Sequence, residues 1–471
     1  MKNKLPLLSE VIKYNEENNL ILSMPGNKCG KGFLRDEVGE NFAKKLGFLD
    51  ITEVDPLDNL HYPEGIIKEA QELLSKTYGA EKGYFLVNGS SSGNLSAIFS
   101  AFNEGDEVLV ERNCHKSIYN GLILRKLKVK YIEAIIDEKH GIFMPPNSNN
   151  IYKSLKQCEN PKGIILTYPN YFGITYDLEN ILKDLKNIGL KIIIDGAHGA
   201  HFGVNNKLPK SIVNLCNYMV LSAHKTLPSL TQGAYLLVND EDESLEFYLK
   251  AFTTTSPSYL IMASLDYGRY YLDNYGKEDY EKLINLAEKW KKNINSLNKV
   301  HIIDKKDLPK DYDIDKSRYV ITIPSEYNGH KLLEYLRKCK IQSEMSFNSG
   351  VVLILSPFNN EEDFISIFKA IESLDLTSIY DGNTFNKQYS LNPKRVMQPY
   401  EVFNEKFENI NLEEAEGRIC NEAIVPYPPG IPLICPGELI SKEAISIIKE
   451  YIYNNMSVIG IKNNKVNVIV K

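Results

Sequence analysis

The stretches Lys191-Ile-Ile-Ile-Asp195-Gly-Ala-His198 and Tyr218-Met-Val-Leu-Ser222-Ala-His-Lys225 each carry a short, unbroken apolar run that ends in polar side chains. Runs of this kind, rich in β-branched residues and bounded by small or polar ones, predict strands buried on both faces of a parallel sheet. Asp195 then stands at the carboxyl end of a strand, an expensive place for a charge unless a cation meets it. Lys225 stands at the end of the next strand. Each residue alone has a plainer reading: Asp195 caps the following turn, and Lys225 is a solvated loop lysine. Together they lie where open α/β sheets hold their ligands, in the crevice beyond the carboxyl ends of the strands.

Outward from there, residues 60–270 alternate short apolar runs with longer amphipathic stretches, the pattern of an α/β fold with a mainly parallel sheet and crossover helices. Gly83-Tyr-Phe-Leu-Val87, Glu107-Val-Leu-Val110 and Gly163-Ile-Ile-Leu-Thr167 are further predicted strands. A helical pattern from Lys277 to Leu297, the β-like Val320-Ile-Thr-Ile-Pro324 and Gly350-Val-Val-Leu-Ile-Leu355, and a helical pattern from Lys331 to Lys338 between them predict a smaller α+β unit. From Asn383 the chain turns proline-rich and closes with a helix and Lys465-Val-Asn-Val-Ile-Val470, a carboxy-terminal unit expected to pack back over the site. With 471 residues, too many for one core, the expected division is an amino-terminal segment 1–60, a large domain 61–275, a small domain 276–380 and a carboxy-terminal domain 381–471.

Two further strand ends carry chemistry. Asn88-Gly-Ser-Ser-Ser-Gly-Asn94 opens a helical pattern, so Ser90, Ser91 and Ser92 and free backbone N–H groups gather at a helix amino end that suits a phosphate. An ordinary Ser/Gly turn with an N-cap reads equally well from that segment alone. Arg112-Asn-Cys-His115-Lys-Ser117 puts a flat imidazole where it can stack on a planar ring. A phosphate cradle, a stacking ring, a carboxylate for a protonated pyridine nitrogen and an amine for an aldehyde are together the requirements of pyridoxal 5′-phosphate (PLP).

Competing readings fare worse. Asp195-x-x-His198-x-x-His201 has the residue types of a zinc site, but that reading leaves the lysine and serine clusters without a purpose, so no metal is expected. Gly26-Asn-Lys-Cys-Gly30-Lys31-Gly32 is one residue short of a P-loop and lacks its Ser/Thr. Lys plus Arg number 55 against 61 Asp plus Glu, a net charge of −6, and no basic run tracks a phosphate backbone, which argues against nucleic acid. The seven cysteines (29, 114, 158, 216, 339, 420, 435) include no C-x-x-C pair, so a reducing cytoplasm is the expected compartment. The sequence shows no signal-peptide pattern and no window near 18 uninterrupted apolar residues, so neither secretion nor membrane insertion is expected.

The chain resembles the Orn/Lys/Arg decarboxylase family of fold type I PLP enzymes, the short bacterial arginine and lysine decarboxylases included. The resemblance rests on Pro25-Gly-Asn-Lys28, Asp50-Ile-Thr-Glu53, the loop and strand-end motifs above, Ser222-Ala-His-Lys225-Thr-Leu-Pro228 with Thr231-Gln232, Thr255-Ser-Pro-Ser-Tyr259 and Pro428-Pro-Gly-Ile-Pro432. It implies Lys225 as the Schiff-base lysine, Asp195 at the pyridine nitrogen, His115 stacked on the ring and Ala197 against the other face. Ser90, Ser91, Ser92, Ser222 and His224 are implied around the phosphate with His198 close by, and Ser256 in a segment that reaches the phosphate of a partner subunit in a homodimer. Asn27, where many relatives carry His, joins Lys28, Glu53 and Glu438 as candidate substrate contacts. Gly196 stands where many relatives carry Glu. The implied reaction is decarboxylation of a basic L-amino acid in polyamine biosynthesis, arginine ahead of lysine and ornithine. The substrate's distal cation needs a carboxylate, for which Glu53, Asp55, Asp58, Glu344 and Glu438 are candidates. Transamination is the rival reaction, and a PLP-binding chain without turnover the remaining alternative.

Overall fold

The computed structural model describes residues 5–382, 389–427, 430–454 and 456–470, so Pro428 and Pro429 of the proline motif lie outside the described residues. The central sheet is built from Lys82–Leu86 (β1), Glu107–Glu111 (β2), Lys128–Ile132 (β3), Pro161–Thr167 (β4), Lys191–Asp195 (β5), Tyr218–Leu221 (β6) and Ala234–Val238 (β7). Its order is β1-β7-β6-β5-β4-β2-β3, parallel except for β7, which runs antiparallel to both neighbours. The sequence reading did not name β3 or β7. β3 is an edge strand whose first residue is exposed and whose lysines interrupt the apolar run, whereas β7 is buried along its whole length.

Alternation along β5 shows why these runs are strands. Ile192 and Ile194 face one core and Ile193 the opposite one, all fully buried. Each such side chain contributes roughly 1.5–3 kcal/mol, and a shift of one residue would exchange the two faces. In register, Asp195 lies beside Thr167 of β4 and Val220 of β6, so the ends of β4 and β5 are flush and Ser222 follows directly beyond β6.

Helix Tyr259–Tyr271 continues through the π-helical turn Leu272–Gly276 into helix Lys277–Ser296, which leads to a second, antiparallel sheet. Its strands are His301–Ile302 (β8), Arg318–Thr322 (β9), Met345–Phe347 (β10) and Gly350–Ile354 (β11), in the order β8-β9-β11-β10. The amino-terminal segment is stitched to this unit: Leu20–Leu22 pairs in parallel with Ile341–Ser343. Buried Lys28 reinforces the seam, its Nζ donating to the carbonyls of Ser23 at 2.6 Å and Ile354 at 3.0 Å.

The carboxy-terminal unit has its own core under helix Lys442–Tyr453, and its strands Phe407–Asn411 and Ile461–Lys462 flank Lys465–Ile469. A buried ion pair fastens it to the large sheet. Arg112, just beyond β2, donates through Nη1 and Nη2 to the two carboxylate oxygens of Glu438, each at 2.7 Å, and also to the Leu433 carbonyl. Among the described residues no helix is long and apolar enough to cross a membrane, and none of the seven cysteines is paired.

Candidate active site

The floor of the crevice is a polar chain across three strand ends. Buried Asp195 accepts from the Asn94 Nδ2 at 3.1 Å and from the Ala197 N–H at 3.2 Å. Asn94, on the second turn of helix Gly89–Ala101, gives its other amide hydrogen to Ser117 Oγ at 2.9 Å. Ser117 Oγ lies 2.8 Å from Nδ1 of His115, which also accepts the Ser117 N–H as the N-cap of helix Lys116–Leu124. Because Ser117 Oγ already accepts from Asn94, its own hydrogen is free for His115, whose ring proton then sits on Nε2. Asn94 and Ser117 were quoted within motifs but given no role from sequence.

Lys225, in the short helix Ala223–Thr226 after β6, points its Nζ at His198 Nε2, 3.1 Å away. The other ring nitrogen of His198 lies 3.0 Å from Nη2 of Arg318, which reaches in from β9. Burial pulls the Lys225 amine below the usual lysine value, Arg318 adds to this, and Asp195 and Glu344 oppose it. Burial together with Lys225 and Arg318 drives His198 well below the usual histidine value. Arg318 stands two residues before the predicted run Val320-Ile-Thr-Ile-Pro324 and was given no role from sequence; it opens the strand observed there.

Around the helix Gly89–Ala101, Gly89 adopts φ +81°, and the cap residue Asn88 makes no side-chain hydrogen bond to the helix's first turn. Ser91 is exposed, Ser90 half-buried, and Ser92 bonds back to the Gly89 carbonyl at 2.8 Å. Ser222 is fully buried with its Oγ unpartnered among the described residues. His224 engages the Gly233 carbonyl through Nδ1 at 2.9 Å. Exposed Ser256 lies two residues beyond Thr254, whose N–H donates to Asn88 Oδ1.

The five candidate acids separate clearly. Glu438 is committed to Arg112, and Asp58 to the N–H groups of Asn59, Glu64, Gly65 and Ile67. Asp55 is exposed, and half-buried Glu53 lies by Tyr259. Glu344 alone of the five interacts electrostatically with Lys225; it accepts from the Tyr171 hydroxyl at 2.6 Å and the Met24 N–H at 2.9 Å. Asn27 spends its side chain on the Ser229 carbonyl and the Gly30 N–H, and Lys28 on the carbonyls described above, so both brace the amino-terminal segment. Asp195, His198 and His201 do not converge: His201 turns away to Asp315 at 3.1 Å, and among the described residues no three such side chains form a metal site.

One buried acid has no counterpart in the sequence reading. Glu111, ending β2, accepts the Thr167 N–H at 2.8 Å, and burial, reinforced by Asp195, pushes its carboxyl up to about 8. An unfolded carboxyl near 4.5 ionises first, so the folded chain holds the extra proton and unfolding becomes easier as pH rises from about 4.5 to about 8. Glu111→Gln, which mimics the protonated form, should flatten this slope; urea midpoints measured across that window would show it.

A mainly parallel sheet with a lysine, a carboxylate, an imidazole and a helix amino end at its strand tips defines a fold type I PLP enzyme. The family profile for the Orn/Lys/Arg decarboxylase major domain matches residues 5–322, and that for the family's C-terminal domain matches residues 382–458. The chain belongs to the Orn/Lys/Arg decarboxylase family and is a PLP-dependent amino-acid decarboxylase. It is 33% identical to uncharacterized protein YaaO of Bacillus subtilis over 96% of both chains. It is 29% identical to an arginine decarboxylase of Bacillus anthracis over 97% of this chain and 94% of that one. The constitutive lysine decarboxylase of E. coli superimposes with a TM-score of 0.78 at 19% identity, over 99% of this chain and 82% of that one.

The residues present fit the cofactor. Asp195 is a buried carboxylate that makes no ion pair among the described residues, as a site for a pyridinium requires. The orphaned hydroxyl of buried Ser222 and the uncapped amino end of helix Gly89–Ala101 each suit a phosphate oxygen.

Proposed function

We propose that this chain decarboxylates a basic L-amino acid, arginine ahead of lysine and ornithine. The observation that carries the reading is the placement of Lys225 and an unpaired Asp195 at neighbouring strand ends. Bound PLP supplies a sink for the electron pair left when CO2 departs. Lys225 would carry the covalent link to the cofactor, Asp195 would keep its ring nitrogen protonated, and His115 and Ala197 would hold its ring. Ser90, Ser91, Ser92, Ser222 and His224 hold the phosphate, with Ser256 contributed across a homodimer. Lys225, as its ammonium, delivers a proton to the substrate Cα at the position that CO2 vacates. Its lowered proton affinity makes its ammonium a ready donor. The lone pair on His115 Nδ1 is occupied by Ser117, which leaves only the N–H of a neutral ring, a weak acid.

Glu344 receives the distal cation of the substrate, supported by its position near Lys225 and the commitment of Glu438 and Asp58 elsewhere. Glu344→Gln should lower kcat/KM by about 10–100-fold, chiefly through KM, as expected for a charged hydrogen bond of about 1.5–3 kcal/mol. Arginine leads because relatives named arginine decarboxylase are 29% and 30% identical, against 22% and 23% for relatives named lysine decarboxylase. Transamination is disfavoured because the site arginine, Arg318, already donates to Asp315, Tyr171 and His198. Incubation of the PLP-loaded enzyme with arginine, lysine or ornithine, with amines identified by mass, tests the reading. Agmatine and CO2 support it, whereas stoichiometric keto acid overturns it.

A further inference from the structure

Arg318, His198 and Lys225 form a line whose hydrogen positions follow from chemistry. A guanidinium has donors and no acceptor and stays charged throughout the accessible pH range. At 3.0 Å from His198 Nδ1, Arg318 Nη2 therefore donates, and Nδ1 must present its lone pair. The same nitrogen donates to the His198 carbonyl at 3.3 Å, while Nη1 holds the Tyr171 carbonyl at 2.7 Å and Nε faces Asp315 at 3.4 Å, so the guanidinium is fixed in this orientation. A neutral ring that accepts at Nδ1 carries its proton on Nε2, the atom 3.1 Å from Lys225 Nζ. An N–H facing an amine at that distance needs a lone pair on the amine.

We propose that Arg318 is a positioning residue that fixes the Nε2–H tautomer of His198 and so holds Lys225 as a neutral, nucleophilic amine before the cofactor attaches. The proposal rests on the reading of Lys225 as the lysine that binds PLP. The surroundings of the pair agree with it. His198 is faced by the permanently charged Arg318 and by Lys225, His115 and His224, each of which disfavours an imidazolium when protonated, and by the ring of Tyr171 at 4.9 Å. Lys225 is faced by Arg318 on one side and by Asp195 and Glu344 on the other. The two carboxylates favour an ammonium, and the directed N–H of His198 opposes them.

The test uses the full-length chain freed of PLP. With histidine labelled in ¹⁵N, the His198 signals are assigned among the eight histidines by their loss in His198→Phe. A protonated Nε2 and a bare Nδ1 are expected; a protonated Nδ1, in either the other tautomer or an imidazolium, overturns the proposal. Competitive acylation of Lys225 against pH then reads its amine directly. Arg318→Met should raise the pH of half-reaction by about one unit, a tenfold loss of neutral amine per unit. That shift should shrink in the His198→Phe background to the smaller part that the Arg318 charge exerts on Lys225 through space. An equal shift in both backgrounds would mean that Arg318 acts only as a through-space charge, and the proposal falls. The wild-type tautomer measurement decides the matter if Arg318→Met does not fold. None of these readouts depends on PLP attachment, so failure of Lys225 as the PLP lysine, seen by borohydride trapping, remains distinguishable.

Discussion

Lys225→Ala is expected to give a folded chain to which borohydride fixes no PLP and whose decarboxylation falls by at least about 10²–10⁴-fold, the contribution of a positioned proton donor alone. Among the described residues, Lys28 and Lys116 also interact with groups of the site, and neither is equipped to substitute. Lys28 is buried, but its amine is spent on the carbonyls of Ser23 and Ile354. Lys116, next to His115, is exposed at the start of its helix. The substitution truncates a half-buried side chain in a four-residue helix and leaves Ala223, Thr226 and Leu227 in the core around it, so the fold should persist. Mass analysis of peptides after borohydride treatment checks the result directly. In the wild-type chain the adduct should map to the peptide containing Lys225, and an adduct that survives Lys225→Ala would remove this residue from the reaction.

The strand ends were legible in the sequence because burial on both faces writes itself as unbroken apolar runs, and Asp195 and Lys225 are conspicuous where such runs stop. Residues that act through other residues were harder to see. Asn94 lay inside a quoted motif, yet its role depends on the helical turn that carries it over Asp195 and Ser117 at once. Arg318 belongs to a different sheet, 120 residues further along the chain, and meets His198 only in the folded structure. Glu438 was a reasonable candidate for a substrate cation by charge alone, but a protein cation, Arg112, takes it. Gly196, read as a departure from the family pattern, has a packing counterpart. A Cβ there would lie 2.5 Å from Met219 Cε and 2.9 Å from Leu221 Cδ2, so the side chains of β6 occupy the space that a larger residue would need. Such pairings are set by tertiary contact, which no local pattern records.

Asp195→Asn should keep PLP attached while slowing decarboxylation by about 10²–10⁴-fold. Removing one member of a buried charge pair costs about 3–5 kcal/mol, and each 1.36 kcal/mol on the barrier is a factor of ten. The amide has the shape of the carboxylate but cannot keep a ring nitrogen protonated, and it brings donor hydrogens to a position that accepts from both Asn94 and the Ala197 N–H. Relief of that conflict requires the Asn94 amide to turn, which brings its Oδ1, unpartnered in the folded chain, toward the new donor and withdraws Nδ2 from Ser117. The Ser117 hydroxyl then has an acceptor to compete with His115 Nδ1, so the substitution reaches the His115 ring through two intermediates. A loss in kcat far larger than the change in PLP affinity, measured by titrating the cofactor-free chain, is the expected signature. Equal losses in both would assign Asp195 to holding the cofactor and not to its electronic activation.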